Sequence, residues 1–455
     1  MQTNDNIDLI MGNPRKAINR LAFPTIFSML LMFLNNLIDS FWVSGINADA
    51  LAALGFISPL YLVIIGLGNG VGAGANSLIS RCVGAGQINE ANNAVIHSII
   101  LTLIVSTIVL IVGIFFLDDL VILLGASGVK TYCLSYGKII FLLNIVFLLP
   151  NVTASIFRAE GNIARATNPL ILTAVLNMII DPIFIYSLNL GIFGAGLATV
   201  IASLTGYLWM VYWIYIKNDT FFKFKLNHYK RKLEIYKEIL VVSLPAATEE
   251  IIFALVAIIL NFLIMITAGV AEVASFTIAW RLITIAFIPC MAIGIATITV
   301  SGVSYGGRNW QDFNETIKYS TIISLIITVL ICSIFFIFAY PICDTFNFQA
   351  HNPALVQRAA EILQTFVFYN ILISFGATAA YVYQGVGSGF KSLSLTVLRE
   401  LILSMAFAYL FGIVFSMGVF GVYLGAIIGM NIGSLIGFAF IWAFNMKFKN
   451  ACFKG

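Results

Sequence analysis

The sequence contains twelve long apolar stretches, and this pattern constrains the fold more than any other feature. A helix needs about 20 apolar residues to cross the hydrocarbon core of a bilayer. The approximate limits of the twelve stretches are 19–44, 51–78, 93–117, 133–157, 168–190, 194–216, 238–266, 272–300, 316–340, 360–385, 392–415 and 418–445. Short segments with Gly, Asn, Asp or Ser connect most of them. The pattern predicts an all-α membrane protein with twelve transmembrane helices.

The composition also suits a chain that faces lipid. Of the 455 residues, 60% are hydrophobic and 10% are charged, whereas a soluble domain has about 25% charged residues. The N-terminal segment is polar and does not resemble a cleaved signal peptide, so we expect the first apolar helix to act as an uncleaved insertion signal. The six cysteines are scattered without metal-binding spacing, and we expect no cofactor and no structural metal.

Basic residues are distributed unevenly between the two sides of the predicted membrane. With the N-terminus in the cytoplasm, nineteen of the 24 Lys and Arg residues fall on the cytoplasmic side, three fall outside, and Arg281 and Arg399 lie within spans. Cytoplasmic loops carry such an excess of positive charge. A missed or extra helix in the count would place every later loop on the opposite side of the membrane. The bias therefore supports twelve spans, with both termini in the cytoplasm of a cell whose plasma membrane holds the protein.

The two halves of the sequence resemble each other. At an offset of 221 residues, Pro24 meets Pro245 and Gly86 meets Gly307, and at an offset of 227 GIFGAGL (191–197) meets GVFGVYL (418–424). Repeated lobes around a central site are typical of transporters. We predict an N-lobe of six helices at 1–216, a basic cytoplasmic linker at 217–237 and a C-lobe of six helices at 238–455. The linker has seven Lys or Arg residues, which should lie near anionic lipid headgroups.

Two aspartates fall inside predicted spans, where an ionisable side chain is costly and usually has a function. Asp39 lies in the first span with Asn35 one turn earlier, and Asp181 lies in the fifth span with Asn177 one turn earlier. Helical spacing puts each pair on one helix face. Counting residues from the ends of the spans places both aspartates, together with Thr199 of the sixth span, in the outer half of the N-lobe.

The chemistry of these side chains leaves the bound ion open. Oxygen atoms of Asp39, Asp181, Asn177 and Thr199, with Asn35 as a weaker candidate, could hold Na⁺. Two carboxylates held close together could equally share protons. A third interpretation is that the aspartates are buried structural or helix-capping residues. At the corresponding positions of the second half, the repeat has an apolar residue in place of each aspartate. Leu260 corresponds to Asp39, and Phe407 or Ala408 corresponds to Asp181. This asymmetry favours ion coupling in the N-lobe.

Two further residues of the N-lobe are candidates. Pro182 follows Asp181 and has no backbone N–H, so it should kink the fifth span near Met178 and free a carbonyl beside the carboxylate. Asn151 follows a proline in the fourth span. Its expected depth is nearer the cytoplasm than that of Asp181, which makes it a weak candidate for the same site.

The C-lobe offers a different set of charges. Glu249 and Glu250 follow Pro245 by one turn and could either line a substrate cavity or lie in water near the cytoplasmic end. Arg281 could contact substrate or form an ion pair with Glu249, Glu250 or Glu400. Arg399 and Glu400 are neighbours, so they should point about 100° apart on a regular helix.

Several short motifs then resemble one family. The motifs AFPTIFSMLLMFLNNLIDSFWVSG, SRCVGAGQ, FRAEGN and LNMIIDPIFIY in the first half, and LPAATEE, FTIAWRL and SYGGRN in the second, resemble the multidrug and toxic compound extrusion (MATE) family. The likeness covers about 14–445 and is greatest to prokaryotic, DinF-like members, including archaeal ones.

The resemblance implies an antiporter that exports small organic, often cationic, compounds by alternating access, driven by H⁺ or Na⁺. It implies that Asp39, Asp181, Asn177 and Thr199 form the cation site and that Asn151 contributes. Some other branches place a key acidic residue deeper in the seventh span than Glu249 and Glu250, so that role is not carried over.

Other functions fit the sequence less well. A lipid or glycolipid flippase would need a large basic cavity, yet few Lys or Arg residues lie within spans. A membrane enzyme would need a catalytic cluster, which is not evident, and a receptor would bind ligand without flux. The glycine-rich segment 66–77 lacks the Lys and Ser/Thr of a phosphate-binding loop and instead predicts close helix packing. We expect a monomer without nucleotide or nucleic-acid partners.

Overall fold

The structure is a computed structural model that describes residues 2–224, 229–345 and 353–453, with side chains from residue 6 onward. Residues 225–228 of the predicted linker lie outside this range. Within the described chain all regular secondary structure is helical. Among the described residues, ten helices are long and apolar enough to cross a membrane, and two bent pairs of helices would add one span each. The prediction of twelve spans in an all-α membrane protein is confirmed.

The first six spans are α1 (Pro14–Ser44), α2 (Ala48–Gly84), α3 (Ile88–Phe115), α4 (Ser127–Leu142 and Ile145–Ala159), α5 (Ile163–Ser187) and α6 (Gly191–Ile216). The other six are α7 (Leu233–Ala268), α8 (Val270–Gly306), α9 (Trp310–Ile337), α10 (Pro353–Asn370 and Ile373–Gly385), α11 (Gly389–Val414) and α12 (Gly418–Phe453). The two segments of α4 and of α10 meet at a bend of 47°. The described part of the chain also forms three shorter helices, at Gln2–Met11, Leu117–Leu123 and Ala339–Thr345.

The chain packs as two compact units. The first unit consists of Met1–Asn13 and Phe23–Ala247, and the second of Pro14–Ala22 and Thr248–Gly455. Each unit thus includes part of α1 and part of α7. The division inside α1 follows Ala22, close to Pro24, and the division inside α7 follows Ala247, close to Pro245. The described part of the linker belongs to the first unit, because most of its contacts are with residues of that unit. The predicted division into 1–216, 217–237 and 238–455 follows the order of the spans and stays a prediction.

The internal repeat extends to the irregular parts of the structure. A short helix precedes the bent span in both halves, as Leu117–Leu123 before α4 and as Ala339–Thr345 before α10. The fifth span of each half ends in a π-helical turn, Ile183–Ser187 or Leu410–Val414. Left-handed residues then occur at the same offset of 227, with φ of 53° at Asn189 and 57° at Ser416. Matching irregularities at matching positions indicate two copies of one helical plan.

A row of glycines lets α12 approach α11 closely. Gly421, Gly425, Gly429, Gly433 and Gly437 recur at every fourth residue and therefore lie along one side of α12. A Cβ atom at Gly425 would lie 2.2 Å from the Phe407 carbonyl oxygen, and one at Gly429 would lie 2.3 Å from the Leu403 carbonyl oxygen. Small residues allow backbones to approach where lipid supplies no hydrophobic drive between helices.

The glycine-rich part of α2 packs in the same way inside the first unit. A Cβ atom at Gly72 would lie 2.5 Å from the Ser155 hydroxyl oxygen, and one at Gly74 would lie 2.2 Å from the Ser243 hydroxyl oxygen. The prediction of close helix packing at 66–77 is confirmed for these positions.

The linker is attached to α3 by main-chain hydrogen bonds. Asn92 Oδ1 accepts the N–H of Lys223 at 2.8 Å. The Asn93 amide accepts the N–H of Lys230 at 3.1 Å and donates to its carbonyl at 3.0 Å. The Lys223 and Lys230 side chains are exposed. The main chain in the described part of the linker is therefore held against α3, and its basic side chains are exposed. Its position near lipid headgroups stays a prediction.

Glu160, in the loop between α4 and α5, also binds the main chain of the linker. Its Oε1 accepts the N–H of Phe222 at 2.9 Å, and the Phe222 side chain is fully buried. Burial of the carboxyl raises the pKa of Glu160 to about 8, although the Phe222 N–H and the nearby Arg165 oppose this shift.

Candidate functional site

The structure brings together the four polar side chains that the sequence places on α1 and α5. Asn35 Nδ2 donates to Asn177 Oδ1 at 2.9 Å, and Asn177 Nδ2 donates to Asp181 Oδ1 at 2.6 Å. The carboxyl groups of Asp39 and Asp181 lie within hydrogen-bonding reach of each other. Asp181 is fully buried and Asp39 is 9% exposed. Residues four apart on each helix thus form one hydrogen-bonded cluster, which runs from Asn35 through Asn177 to the two carboxyl groups.

Three oxygen atoms in this cluster lack a hydrogen-bond donor among the described residues: Asn35 Oδ1, Asp39 Oδ1 and Asp181 Oδ2. Ionised carboxylates only accept hydrogen bonds, so two of them cannot satisfy each other. Burying a charge without a partner is costly. A proton shared between the carboxyls, or a cation held by these oxygens, would remove that cost. The described residues contain no group of three His, Cys, Asp or Glu side chains that could hold a metal ion.

Two tyrosines complete the surroundings of the carboxyl pair. Tyr136 of α4 is 3% exposed, and its hydroxyl lies within hydrogen-bonding reach of that of Thr199. Both Tyr136 and Tyr61 of α2 lie close enough to Asp39 to interact with its charge. Thr199 also donates to the Ala195 carbonyl at 2.9 Å. The structure therefore places Thr199 beside the cluster through Tyr136.

Sequence reasoning missed both tyrosines because it searched the spans for charged side chains. A tyrosine hydroxyl within an apolar span was the available signal, since a buried Tyr O–H usually finds a polar partner.

The structure places the other two candidates of the first unit differently. Asn151 Nδ2 donates to the Phe147 carbonyl of its own helix at 2.9 Å, and its side chain packs beside Gly68 of α2. At Pro182 the winding of α5 changes from α-helical to π-helical, and the span continues to Ser187 without a break. The expected kink thus takes the form of a local change in winding. A role of Asn151 in ion binding stays a prediction.

In the second unit Glu249 is bonded to two neighbouring helices. Its Oε1 accepts the Ser392 hydroxyl at 2.6 Å and its Oε2 accepts Gln384 Nε2 at 3.1 Å. Both donors are buried. Glu250 lies close enough to Tyr381 to interact with it. Glu249 therefore ties α7 to α10 and α11, and its proposed role in a substrate cavity stays a prediction.

Arg399 and Glu400 form a buried ion pair, with Arg399 Nη2 and Glu400 Oε1 2.5 Å apart. The expectation that they point apart is wrong, because their long side chains bring the two charged groups together; Val397–Leu403 is also π-helical rather than α-helical. Arg281 is exposed and forms no ion pair with any residue in the described part of the chain. The pair considered between Arg281 and Glu249, Glu250 or Glu400 is not formed.

Comparisons with known proteins agree with this architecture. The model of the MatE family matches residues 24–183 and 245–410. The multidrug export protein MepA of Staphylococcus haemolyticus (strain JCSC1435) is 25% identical over 378 residues, which is 82% of each chain.

Two solved structures are similar over nearly the whole chain. One is a multidrug resistance MATE family transporter of the MOP superfamily in an outward-facing conformation, with a TM-score of 0.95, 32% identity and coverage of 98% of this chain and 99% of the other. The second is a MOP superfamily transporter from Pyrococcus furiosus Vc1 (DSM3638), with a TM-score of 0.94, 32% identity and coverage of 98% of each chain. The polarity of that protein's binding pocket is reversed, which suggests a different function for it.

Proposed function

The chain belongs to the MATE transporter family, whose model covers most of its spans, and we propose that it is a cation-coupled antiporter that exports small organic compounds. Inward movement of H⁺ or Na⁺ drives export, and the protein alternates between states open to either side of the plasma membrane, with both termini in the cytoplasm. The nineteen-to-three distribution of basic residues supports this orientation.

The observation that carries the proposal is the buried pair Asp39 and Asp181. Two carboxyl groups within hydrogen-bonding reach, each with an oxygen that has no donor in the described chain, are stable in an apolar site only with a proton or a cation between them. Such a site binds an ion from the side where it is abundant and releases it on the other. Asn177 and Asn35 hold the carboxyls in register through their hydrogen bonds.

The substrate class is inferred from the relatives. The Staphylococcus relative is a multidrug export protein, and one structural neighbour is a multidrug resistance transporter. The Pyrococcus furiosus neighbour has a pocket of reversed polarity. The charge of the substrate therefore has to be inferred separately from the ion that drives transport. We propose organic cations, since the buried pair of carboxyl groups favours positive charge.

The test is substrate flux in proteoliposomes that contain the purified protein, with H⁺ and Na⁺ gradients imposed separately. Cationic, neutral and anionic fluorescent compounds would be compared in parallel. We expect one gradient to drive accumulation of the cationic compound and the other to have little effect. Flux of every compound at the same rate with either gradient or with none would contradict the proposal.

A further inference from the structure

His97 of α3 contacts the linker one turn beyond Asn93. Its side chain is fully buried, although the ring has two polar nitrogens. Nδ1 lies 2.8 Å from the Asn93 carbonyl oxygen, and Nε2 lies 3.4 Å from the main-chain nitrogen of Lys232. The ring therefore connects its own helix to the residue that directly precedes α7.

These two partners fix the protonation state of the His97 ring. A carbonyl oxygen only accepts hydrogen bonds, so Nδ1 carries a hydrogen and donates it to Asn93. A main-chain N–H only donates, so Nε2 carries no hydrogen and accepts from Lys232. The neutral imidazole is the form with one donor nitrogen and one acceptor nitrogen. The observed contact thus requires a neutral His97.

A second proton on His97 would reverse the contact with the linker. Both nitrogens of a protonated histidine are donors, so the Nε2–H would point at the N–H of Lys232. Two buried donors that face each other leave both without a hydrogen bond, which costs free energy. Histidine is the side chain that ordinarily changes charge between pH 5 and pH 8. We therefore expect the reversal in mildly acidic solution.

The groups that face the ring come from α3, the linker and α7. The rings of Tyr229 and Tyr236 lie beside it, with centroids 4.9 and 4.5 Å away. The Glu90 carboxylate and the Lys232 ammonium lie close enough to interact with its charge. These two groups are bonded to each other at 2.6 Å, so their effects on a charged ring largely cancel. The hydrogen bond with the main chain of Lys232 is then the contact that depends on the proton.

A different contact occupies the corresponding position in the second half of the chain. At the offset of 221, His97 is matched by Lys318 of α9. The Lys318 ammonium lies 5.7 Å from the centre of the Trp442 ring of α12. An ammonium group has no acceptor atom. A side-chain acceptor at this position is therefore particular to the half that carries the linker.

We propose that His97 is a pH-sensitive contact, which holds the end of the linker against α3 while the ring is neutral and releases it when the ring is protonated. Lys232 directly precedes α7, and Tyr236 in the first turn of α7 packs beside the same ring. Release therefore also loosens the start of this span. The inference goes beyond the proposed function and does not depend on it, since the contact involves neither the carboxyl pair nor a substrate.

The test measures hydrogen–deuterium exchange of the linker amides by mass spectrometry, with the purified protein in nanodiscs at pH 7 and at pH 5.5. Intrinsic exchange depends on pH in the same way for every variant, so protection is compared between variants at equal pH. Glu160 also binds the linker, but its pKa of about 8 leaves it largely protonated at both values. Exchange in spans that do not contact the linker verifies that each variant is folded.

Three variants separate the possible causes of a pH effect. His97→Gln keeps an acceptor but binds no proton in this range, and His97→Leu removes the acceptor at every pH. Glu90→Gln removes only the ion pair with Lys232. We expect protection of the linker peptide that contains Lys232 to fall at least about fivefold in the wild type between pH 7 and pH 5.5, relative to His97→Gln. His97→Leu should be poorly protected at both values, and Glu90→Gln should show the wild-type fall.

An equal change in the wild type and in His97→Gln would overturn the inference, because the pH effect would then arise elsewhere. Loss of the fall in Glu90→Gln would overturn it too, since the ion pair would be the sensitive group. Neither result depends on gradient-driven efflux. Failure of the His97 contact can therefore be distinguished from failure of the antiporter.

Discussion

Asn177 donates a 2.6 Å hydrogen bond to Asp181, the residue one turn further along α5. The same amide accepts a hydrogen bond from Asn35 of α1 at 2.9 Å. Asn177 is therefore the link through which the two helices align their carboxyl groups. A change of ionisation or ion occupancy at Asp181 alters the charge that Asn177 faces, and with it the contact between α1 and α5.

Tyr136→Phe should impair coupling while leaving the fold intact. The change removes the hydroxyl that lies within hydrogen-bonding reach of Thr199 beside the carboxyl pair, and a hydrogen bond between two such groups contributes about 1 kcal/mol. We expect gradient-driven efflux to fall about five- to tenfold. Tyr132→Phe, one turn earlier on α4, is the control, because the Tyr132 hydroxyl bonds Asn47 instead. Equal rates in the two variants would exclude a role for Tyr136.

Gly425→Ala should destabilise the second unit. The new Cβ atom would meet the Phe407 carbonyl oxygen at 2.2 Å, so α11 and α12 must separate, and overpacking of this kind costs about 1–3 kcal/mol. We expect a clear fall in the unfolding temperature. Gly55→Ala is the matched control, since nothing lies within 4 Å of a Cβ atom there, and Ala favours helix by up to about 1 kcal/mol. Similar unfolding temperatures in the two variants would show that α12 does not pack as described.

Glu160→Gln should change how stability depends on pH. The pKa of Glu160 is raised to about 8 by burial, from an ordinary value of 4.5. Between these values the unfolded chain releases the proton and the folded chain keeps it, so the folded state loses stability as pH rises. The amide side chain of the variant has no such proton, and its carbonyl oxygen can still accept the Phe222 N–H.

The unfolding temperature of Glu160→Gln, measured relative to the wild type, should therefore rise between pH 5 and pH 8 and level off above pH 8. Glu234→Gln changes an exposed residue in the first turn of α7, and its curve should run parallel to that of the wild type. A parallel curve for Glu160→Gln as well would contradict the assignment.

Hydropathy was sufficient to predict the twelve spans because each span sums the transfer energy of about 20 residues. The breaks in α4 and α10 were not predicted. Each involves only the two residues between Leu142 and Ile145 or between Asn370 and Ile373, and so short an interruption barely changes mean hydropathy. Their matching positions in the two halves become visible only when the structure is compared with the repeat.

The carboxyl cluster was predictable in its members but not in its geometry. The cost of a charge in lipid singles out Asp39 and Asp181, and helix spacing adds Asn35 and Asn177. Nothing in one sequence says which faces of α1 and α5 meet, so the Asn35–Asn177 bond needed the structure. The functional role of the cluster is still a prediction.

The Arg399–Glu400 ion pair could not be predicted from the sequence, for a different reason. A regular helix sends neighbouring side chains about 100° apart, and the prediction of divergence followed from that geometry. The π-helical winding of Val397–Leu403 has no clear signal in its residue types.

The most direct test of the central claim compares gradient-driven efflux by Asp39→Asn and Asp181→Asn with that of the wild type in proteoliposomes. Asparagine keeps the size of each side chain but removes the carboxyl group that we propose binds the coupling ion. Asp49→Asn is the matched control, because Asp49 is exposed in the first turn of α2. We predict that both site variants lose gradient-driven efflux, by at least about tenfold, while Asp49→Asn transports as the wild type does. Undiminished, gradient-dependent efflux in Asp39→Asn and Asp181→Asn would contradict the account.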